Sequence, residues 1–373
     1  MEQSSDRRRN ATIDILRIIL ATLVVYLHID NFLYLRSGLS APATAIDNYI
    51  IVLARLAVPM FFAISGYYFY KKKQSDEDRS AIKNIKHLFL ILMGGCILYL
   101  IGSIALNGVG ETVQPITSRN LFLFAFFNRT AIVANSGILW FILALISCYI
   151  IYLIFPRFFQ KKYLYILAGV LWCLAICKSS VYGGIVMDKW SAYVQQSYVC
   201  LGLPYFTLGY FIHAYWNKIK QIVTNGRRLI KILILAIALY LSEQTIFIVN
   251  HKFNATAIEN PITLPLLIAS ILIMAIQHPG KSTPKLSAIA ANYSLYIYVT
   301  HFLVTMVLSR ILYGDDVPSK IRYWKGLICW FAVIAICVIL SFVYTQLKKQ
   351  IIRLFASHNV SLAITSSNPS MKS

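Results

Sequence analysis

Arg17 and His28 lie eleven positions apart within an apolar stretch, residues 13–35, that is long enough to cross a bilayer. Imidazole can take the proton of a hydroxyl near neutral pH, and a guanidinium forks onto phosphate or carboxylate oxygens. In a helix advancing about 100° per residue the two return to within about 20° of each other, and Asp14 falls about 60° from Arg17 and about 40° from His28. All three therefore share one face. An Arg facing lipid costs about 2.5–3.5 kcal/mol even on the lenient insertion scale, so this face must look into protein or a wet cavity. The rise from Arg17 to His28 is about 16 Å, which places the Arg near the entry end and the His beyond the midplane. A plain i,i+3 pair of Asp14 with Arg17, snorkelling at the helix end, is the simpler alternative; it leaves His28 unexplained.

A second apolar stretch, residues 47–70, contains RLAVPMFFAISGYYF. Pro59 removes a helix donor, and Ser65 with Gly66 permits a kink or a close approach. An antiparallel arrangement of the two stretches brings Arg55 near the depth of His28 and Ser65 near that of Arg17. Glu243 and His301 interrupt two later spans at comparable depth. Activation of a hydroxyl would use His28 as the base, with Glu243 orienting an imidazole or holding that hydroxyl. Arg55 would pair with Glu243 or with negative charge developing in the reaction. A structural Arg55–Glu243 ion pair is the alternative for those two residues, and a backbone-bonded hydroxyl the alternative for Ser65. Arg17, Asp14 and Ser65 are expected to hold an anionic ligand, and His301 and Trp140 a second, hydroxyl-bearing one, His301 having a purely structural role as its alternative. His87, His213, His251, His278 and His358 fall at span ends or in loops and are not expected to be catalytic.

These residues sit in a chain of 373, 58% hydrophobic and 13% charged, with a mean hydropathy of +0.65. That composition belongs to polytopic membrane proteins. The predicted fold is all-α with about ten transmembrane helices and both termini cytoplasmic. It divides into a cytoplasmic segment 1–12, a membrane domain 13–346 and a basic, disordered tail 347–373. The net charge of +21 does not imply nucleic acid, because the basic residues fall in short clusters between apolar runs, the pattern of topology signals. Lys71, Lys72 and Lys73 open the strongest of these clusters. All seven Cys fall inside predicted spans without a C-x-x-C, so neither a metal site nor a disulfide framework is expected.

Along the chain, further spans are expected at 87–106, 137–155, 163–178, 198–216, 232–249, 261–276, 286–308 and 323–344. A short apolar stretch at 121–127 is too brief to cross. The loop 179–197 is expected outside, and Pro204 and Gly209 are expected to loosen the span that begins at 198. Arg7, Arg8 and Arg9 before an apolar run imitate a signal peptide, but that run is too long and too polar to be one, and retention of the first helix is expected.

The Arg and His of DILRIILATLVVYLH, followed by RLAVPMFFAISGYYF, resemble the opening of the membrane-bound acyltransferase-3 family, in its stand-alone form without an extracytoplasmic esterase-like domain. GILWFILAL, LPYFTLGYF, Glu243 and YSLYIYVTH follow in the expected order. The resemblance implies about ten membrane helices and transfer of an acyl group, commonly acetyl from acetyl-CoA, onto an extracytoplasmic carbohydrate. It also implies the bacterial cytoplasmic membrane, partners among acyl-CoA, a glycan or glycolipid acceptor and glycan-assembly proteins, and functional roles for Arg17 and His28, with Arg55 and Ser65-Gly66 carried over beside them. Relatives have an Arg-rich entry to the third span; Lys83, Lys86 and His87 stand there instead. A glycan or lipid-linked-sugar exporter would use the same polar residues as a pathway.

Overall fold

The computed structural model describes residues 10–33, 41–113, 117–127, 136–177, 197–223, 226–250, 260–280, 283–313 and 323–366, and those residues are helical or turn with no strand among them. The helices are α1 (Ala11–Leu33), α2 (Ala41–Ala54), α3 (Ala57–Phe69), α4 (Gln74–Asn107), α5 (Val109–Val113), α6 (Ser118–Phe127), α7 (Trp140–Phe158) and α8 (Lys161–Cys177). They continue as α9 (Leu203–Ala214), α10 (Trp216–Ile222), α11 (Gly226–Asn250), α12 (Leu264–Gln277), α13 (Pro284–Tyr313) and α14 (Tyr323–Ser366). A 3-10 turn, Ser136–Leu139, leads into α7, and a π turn, Tyr198–Gly202, leads into α9.

Among the described residues, seven helical stretches are long and apolar enough to cross a membrane: α1, α2 with α3, α4, α7, α11, α13 and α14. The shorter α8, α9 and α12 occupy the positions of the other three expected spans. Two of the differences from the expected boundaries have local reasons. The second span breaks at Arg55–Leu56, where Arg55 N–H still reaches the Ile51 carbonyl and Leu56 N–H turns back to Leu53. Pro59 thus sits in the first turn of α3, where its missing N–H is harmless. At the chain's end, α14 runs on to Ser366, so residues 347–366 are helical where a disordered tail was expected. That segment holds no Gly or Pro, and Leu347, Ile351, Leu354 and Phe355 recur at helical spacing. The outside loop 179–197 and His251 fall outside the described residues, apart from Ser197.

The closest crossing joins α3 to α9. A Cβ on Gly66 would lie 1.9 Å from the Phe206 carbonyl oxygen, and one on Gly209 would lie 1.8 Å from that of Ala63. Each glycine therefore lets the opposing backbone in, as small residues do in membrane helices. Gly209 does not loosen α9; it seats it. Around the crossing Phe69 packs on Tyr149 and Phe206 with ring centroids 5.2 and 5.6 Å apart.

One end of the bundle forms a common floor. Ala11 N–H donates to Pro279 O at 2.9 Å, and Asn10 Nδ2 donates to Ala275 O at 2.7 Å. The Asn10 side chain also caps α1 by accepting from Thr12 N and Ile13 N. Gln277 Nε2 donates to Val223 O at 3.0 Å. The starts of α1, α11 and α13 and the end of α12 are therefore gathered at one level. Lys71, Lys72, Lys73, Arg157, Lys161, Lys218 and Lys220 lie at that end, called here the basic end.

Candidate functional site

His28 and His301 meet in the bundle. Their ring centroids are 5.4 Å apart at an interplanar angle of 44°, and Phe302 closes one side of His28 at 5.9 Å, edge to face. Helix packing brings them together: α1 lies along α13 and also touches α14, α3 and α2. Two contacts to the opposite side of α1 hold its rotation, Trp330 Nε1 donating to Thr22 O at 3.1 Å and Tyr26 OH donating to Asp47 Oδ1. Ile15 and Ile19 face outward, 48% and 50% exposed, while Asp14 is buried. The polar stripe on the first helix thus turns inward, as its spacing required.

His301 is fully buried, and its ring is oriented from behind. Nδ1 lies 2.9 Å from Ile297 O, and since a carbonyl only accepts, Nδ1 carries the hydrogen and Nε2 is left as the lone-pair nitrogen. Nε2 is buried without a hydrogen-bond partner among the described residues. The turn that carries it is pinned by Tyr99 OH donating to Val299 O at 3.0 Å and by Tyr298 OH donating to Ile138 O. Tyr298 also accepts from Phe141 N at 3.3 Å. A buried nitrogen whose lone pair has no donor is disfavoured by about 1–3 kcal/mol, a penalty a hydroxyl of a bound molecule would remove.

Arg17 serves the basic end. It pairs with Asp14 at 3.8 Å, and its guanidinium lies 5.1 Å from the centre of the Tyr68 ring. Tyr68 lines a cavity of about 960 Å³ together with Tyr67, Tyr70, Lys71, Lys72, Lys73, Asp76, His213, Ala214, Trp216 and Asn217. His213 stacks on Tyr67 at 4.5 Å and 25°, its Nδ1–H donating to Tyr67 O at 2.6 Å. The cavity thus offers flat aromatic faces beside three lysines, a combination suited to an anion attached to a planar ring.

The other expected site residues do not gather on His28. Both carboxylate oxygens of Glu243 are taken at the start of α12: Oε1 accepts from Ile262 N at 2.7 Å, and Oε2 accepts from Thr263 N at 2.9 Å and from Thr263 Oγ1. Glu243 makes no contact with His28; it caps a helix from outside. Arg55 lies at the α2–α3 break, and Tyr240 is close to both Arg55 and Glu243 while donating to Val52 O at 2.9 Å. The Ser65 hydroxyl donates to Phe61 O at 2.7 Å, one turn back in its own helix. That hydrogen is committed within the helix, so the hydroxyl is left to act as an acceptor. Trp140 opens α7 with its ring 6.5 Å from Phe62, and is only partly buried. Cys173 and Cys177, which fall inside an expected span, are exposed on the bundle.

A group the sequence did not single out is Glu77. It is 1% exposed and binds Lys161 Nζ, the Tyr210 hydroxyl at 2.7 Å and the Lys71 backbone N–H at 3.0 Å. Lys161 also donates to Tyr210 OH at 2.7 Å. The cluster ties α4, α8 and α9 to the link that bears the three lysines. Its glutamate lies in KKKQSDEDR, which reads as a solvated charged run; a buried member of such a run is betrayed only by partners far away in sequence.

The acyltransferase-3 profile, described as an acyltransferase domain, matches residues 10–346. No curated protein and no solved structure matches the chain.

Proposed function

Because the chain belongs to the acyltransferase-3 family of integral membrane acyltransferases, we propose that it moves an acetyl group from cytoplasmic acetyl-CoA to a hydroxyl of an extracytoplasmic carbohydrate, in the cytoplasmic membrane of a bacterium. The basic end faces the cytoplasm by the distribution of Lys and Arg. The nucleotide and its phosphates then belong in the cavity of Lys71, Lys72, Lys73 and Trp216. Arg17 lies against Tyr68, one of its lining residues, and the pantetheine arm runs the rise of about 16 Å from Arg17 to His28.

The observation that carries this reading is the pair of imidazoles facing each other within the bundle, His301 fully buried. His28 takes the hydroxyl proton as the acceptor oxygen attacks the thioester carbonyl; the carbon–sulfur bond breaks, and the proton passes to the departing thiolate. Donor and acceptor become ester and free thiol with nothing left over. His301, its ring set by Ile297, presents Nε2 to the acceptor hydroxyl or to His28. The protein also holds both reactants in one place, out of bulk water, which is worth several kcal/mol of barrier if the geometry is close.

Purified wild type supplied with radiolabelled acetyl-CoA and an envelope-glycan fraction should transfer label, and His28→Ala should lower transfer by at least about 100-fold, the usual contribution of a general base, without loss of folding. Equal transfer by the two proteins would refute the assignment. Absence of transfer, together with glycan flux into vesicles, would favour an exporter.

A further inference from the structure

Two buried amides on the side of the bundle away from the donor cavity carry polar atoms without a partner among the described residues. Gln244 is 1% exposed and its Nε2 has no partner; Asn260 is fully buried and neither Nδ2 nor Oδ1 has one. Three unsatisfied polar atoms on two side chains make a sizeable penalty, and native proteins keep such groups where something else binds them.

Their level is that of the imidazole pair. From the floor at the basic end, His28 is 17 residues above Ala11, Glu243 is 17 above Gly226, His301 is 17 above Pro284 and Asn260 is 17 before Gln277. At 1.5 Å per residue His28, Glu243 and His301 lie about 26 Å up, with Gln244 one residue further; Asn260 precedes α12, and its level is set by the bonds from Glu243 to the turn that follows it. Laterally, α2 joins the two sides: Tyr26 on α1 bonds Asp47 on α2, while Tyr49 and Val52 on α2 bond Thr245 and Tyr240 on α11. Glu243 then fixes the backbone of Ile262 and Thr263, two and three residues past Asn260. Glu243 thus positions Asn260, and its carboxylate is spent in doing so.

Given acyl transfer at His28, we propose that Gln244 and Asn260 form the acceptor subsite and bind vicinal hydroxyls of a pyranoside. An amide offers both a donor and an acceptor, as a sugar hydroxyl does, so the pair can bridge neighbouring hydroxyls in a way an alkyl chain or an anion cannot satisfy. The depth leaves the donor at the basic end and the sugar entering from the opposite end.

The test uses Gln244→Met and Asn260→Leu, singly and together, in nanodiscs, each replacing an amide by an apolar group of similar size. Saturation-transfer NMR with the methyl glycosides of glucose, galactose and N-acetylglucosamine should show binding of at least one by wild type and by His28→Ala, and at least tenfold weaker binding by the double variant. Its KM for acetyl-CoA should stay unchanged, and its apparent melting temperature should stay equal or rise, because an orphaned amide has been removed. Binding by none of the glycosides, undiminished binding by the double variant, a shifted donor KM or a fall in melting temperature would each overturn the assignment. Failure of the acyl-transfer reading would look different: wild type would bind glycoside but transfer no acetyl group to it.

Discussion

Gly209→Ala tests the crossing on which the bundle's inner geometry depends. The new Cβ would lie 1.8 Å from Ala63 O, 2.6 Å from Ala63 C and 2.9 Å from Ala63 Cα. All three are backbone atoms, so no side chain can swing aside. Ordinary contact begins at 3.4 Å, so α3 and α9 must part by roughly 1.6 Å at this point. A gap of even 0.5–1 Å forfeits about a quarter to a half of each dispersion contact, and forced overpacking costs about 1–3 kcal/mol. At the upper end of that range, with about 2 °C per kcal/mol, the apparent melting temperature should fall by about 6 °C. Gly66→Ala, which meets Phe206 O at 1.9 Å, should do the same. The double substitution should cost less than the sum, since one separation relieves both clashes. Gly169→Ala, with nothing within 4 Å of the added carbon, is the control and should be neutral or slightly stabilising. Thermal unfolding in detergent, read by retention of the monodisperse peak, measures all four. A Gly209→Ala protein melting with wild type would refute the backbone-contact argument.

Glu243→Gln weakens three hydrogen bonds at the start of α12 that a charged acceptor now makes, and should destabilise by about 1.5–3 kcal/mol while leaving measurable acetyl transfer at permissive temperature; unchanged melting with transfer abolished would make Glu243 catalytic instead. Glu77→Gln should destabilise by leaving Lys161 without its carboxylate, and adding Lys161→Met should recover part of the loss in melting temperature; no recovery would show that the two do not act as a pair. Arg17→Met should raise the KM for acetyl-CoA about tenfold with a smaller effect on kcat, and Arg17→Lys should restore only part of the binding because the fork and its seat on Tyr68 are lost; a change confined to kcat would contradict a donor-side role.

The first helix was largely legible in the sequence, because helical geometry alone fixes which residues share a face. Asp14, Arg17 and His28 had to lie on the inner side, and Ile15 and Ile19 on the outer. The common depth of His28, Glu243 and His301 followed from the same rise. Pairing was not legible. Which of three polar residues at one level touches His28 depends on helix order around the bundle, and that order seats His301 there while turning Glu243 onto the next helix end. LPYFTLGYF held the signal for close approach, yet Pro204 beside Gly209 suggested weakness instead. A glycine that admits a neighbouring backbone and one that merely bends a helix look alike until the neighbour is known. Glu77 and Asn260 were hidden for a related reason: their burial comes from residues distant in sequence, and nothing local distinguishes them from solvated polar residues; Gln244 sits in the expected span 232–249, where the charge of Glu243 beside it drew the attention.

The central claim is that a donor held at the basic end presents its acetyl group to His28. A structure of the protein with a non-transferable acetyl-CoA analogue tests it most directly. The predicted result places the nucleotide among Lys71, Lys72, Lys73 and Trp216 and the acetyl carbon within about 6 Å of the His28 ring, leaving room for one hydroxyl oxygen between them. An acetyl group bound away from both imidazoles, or a nucleotide seated elsewhere on the chain, would contradict it.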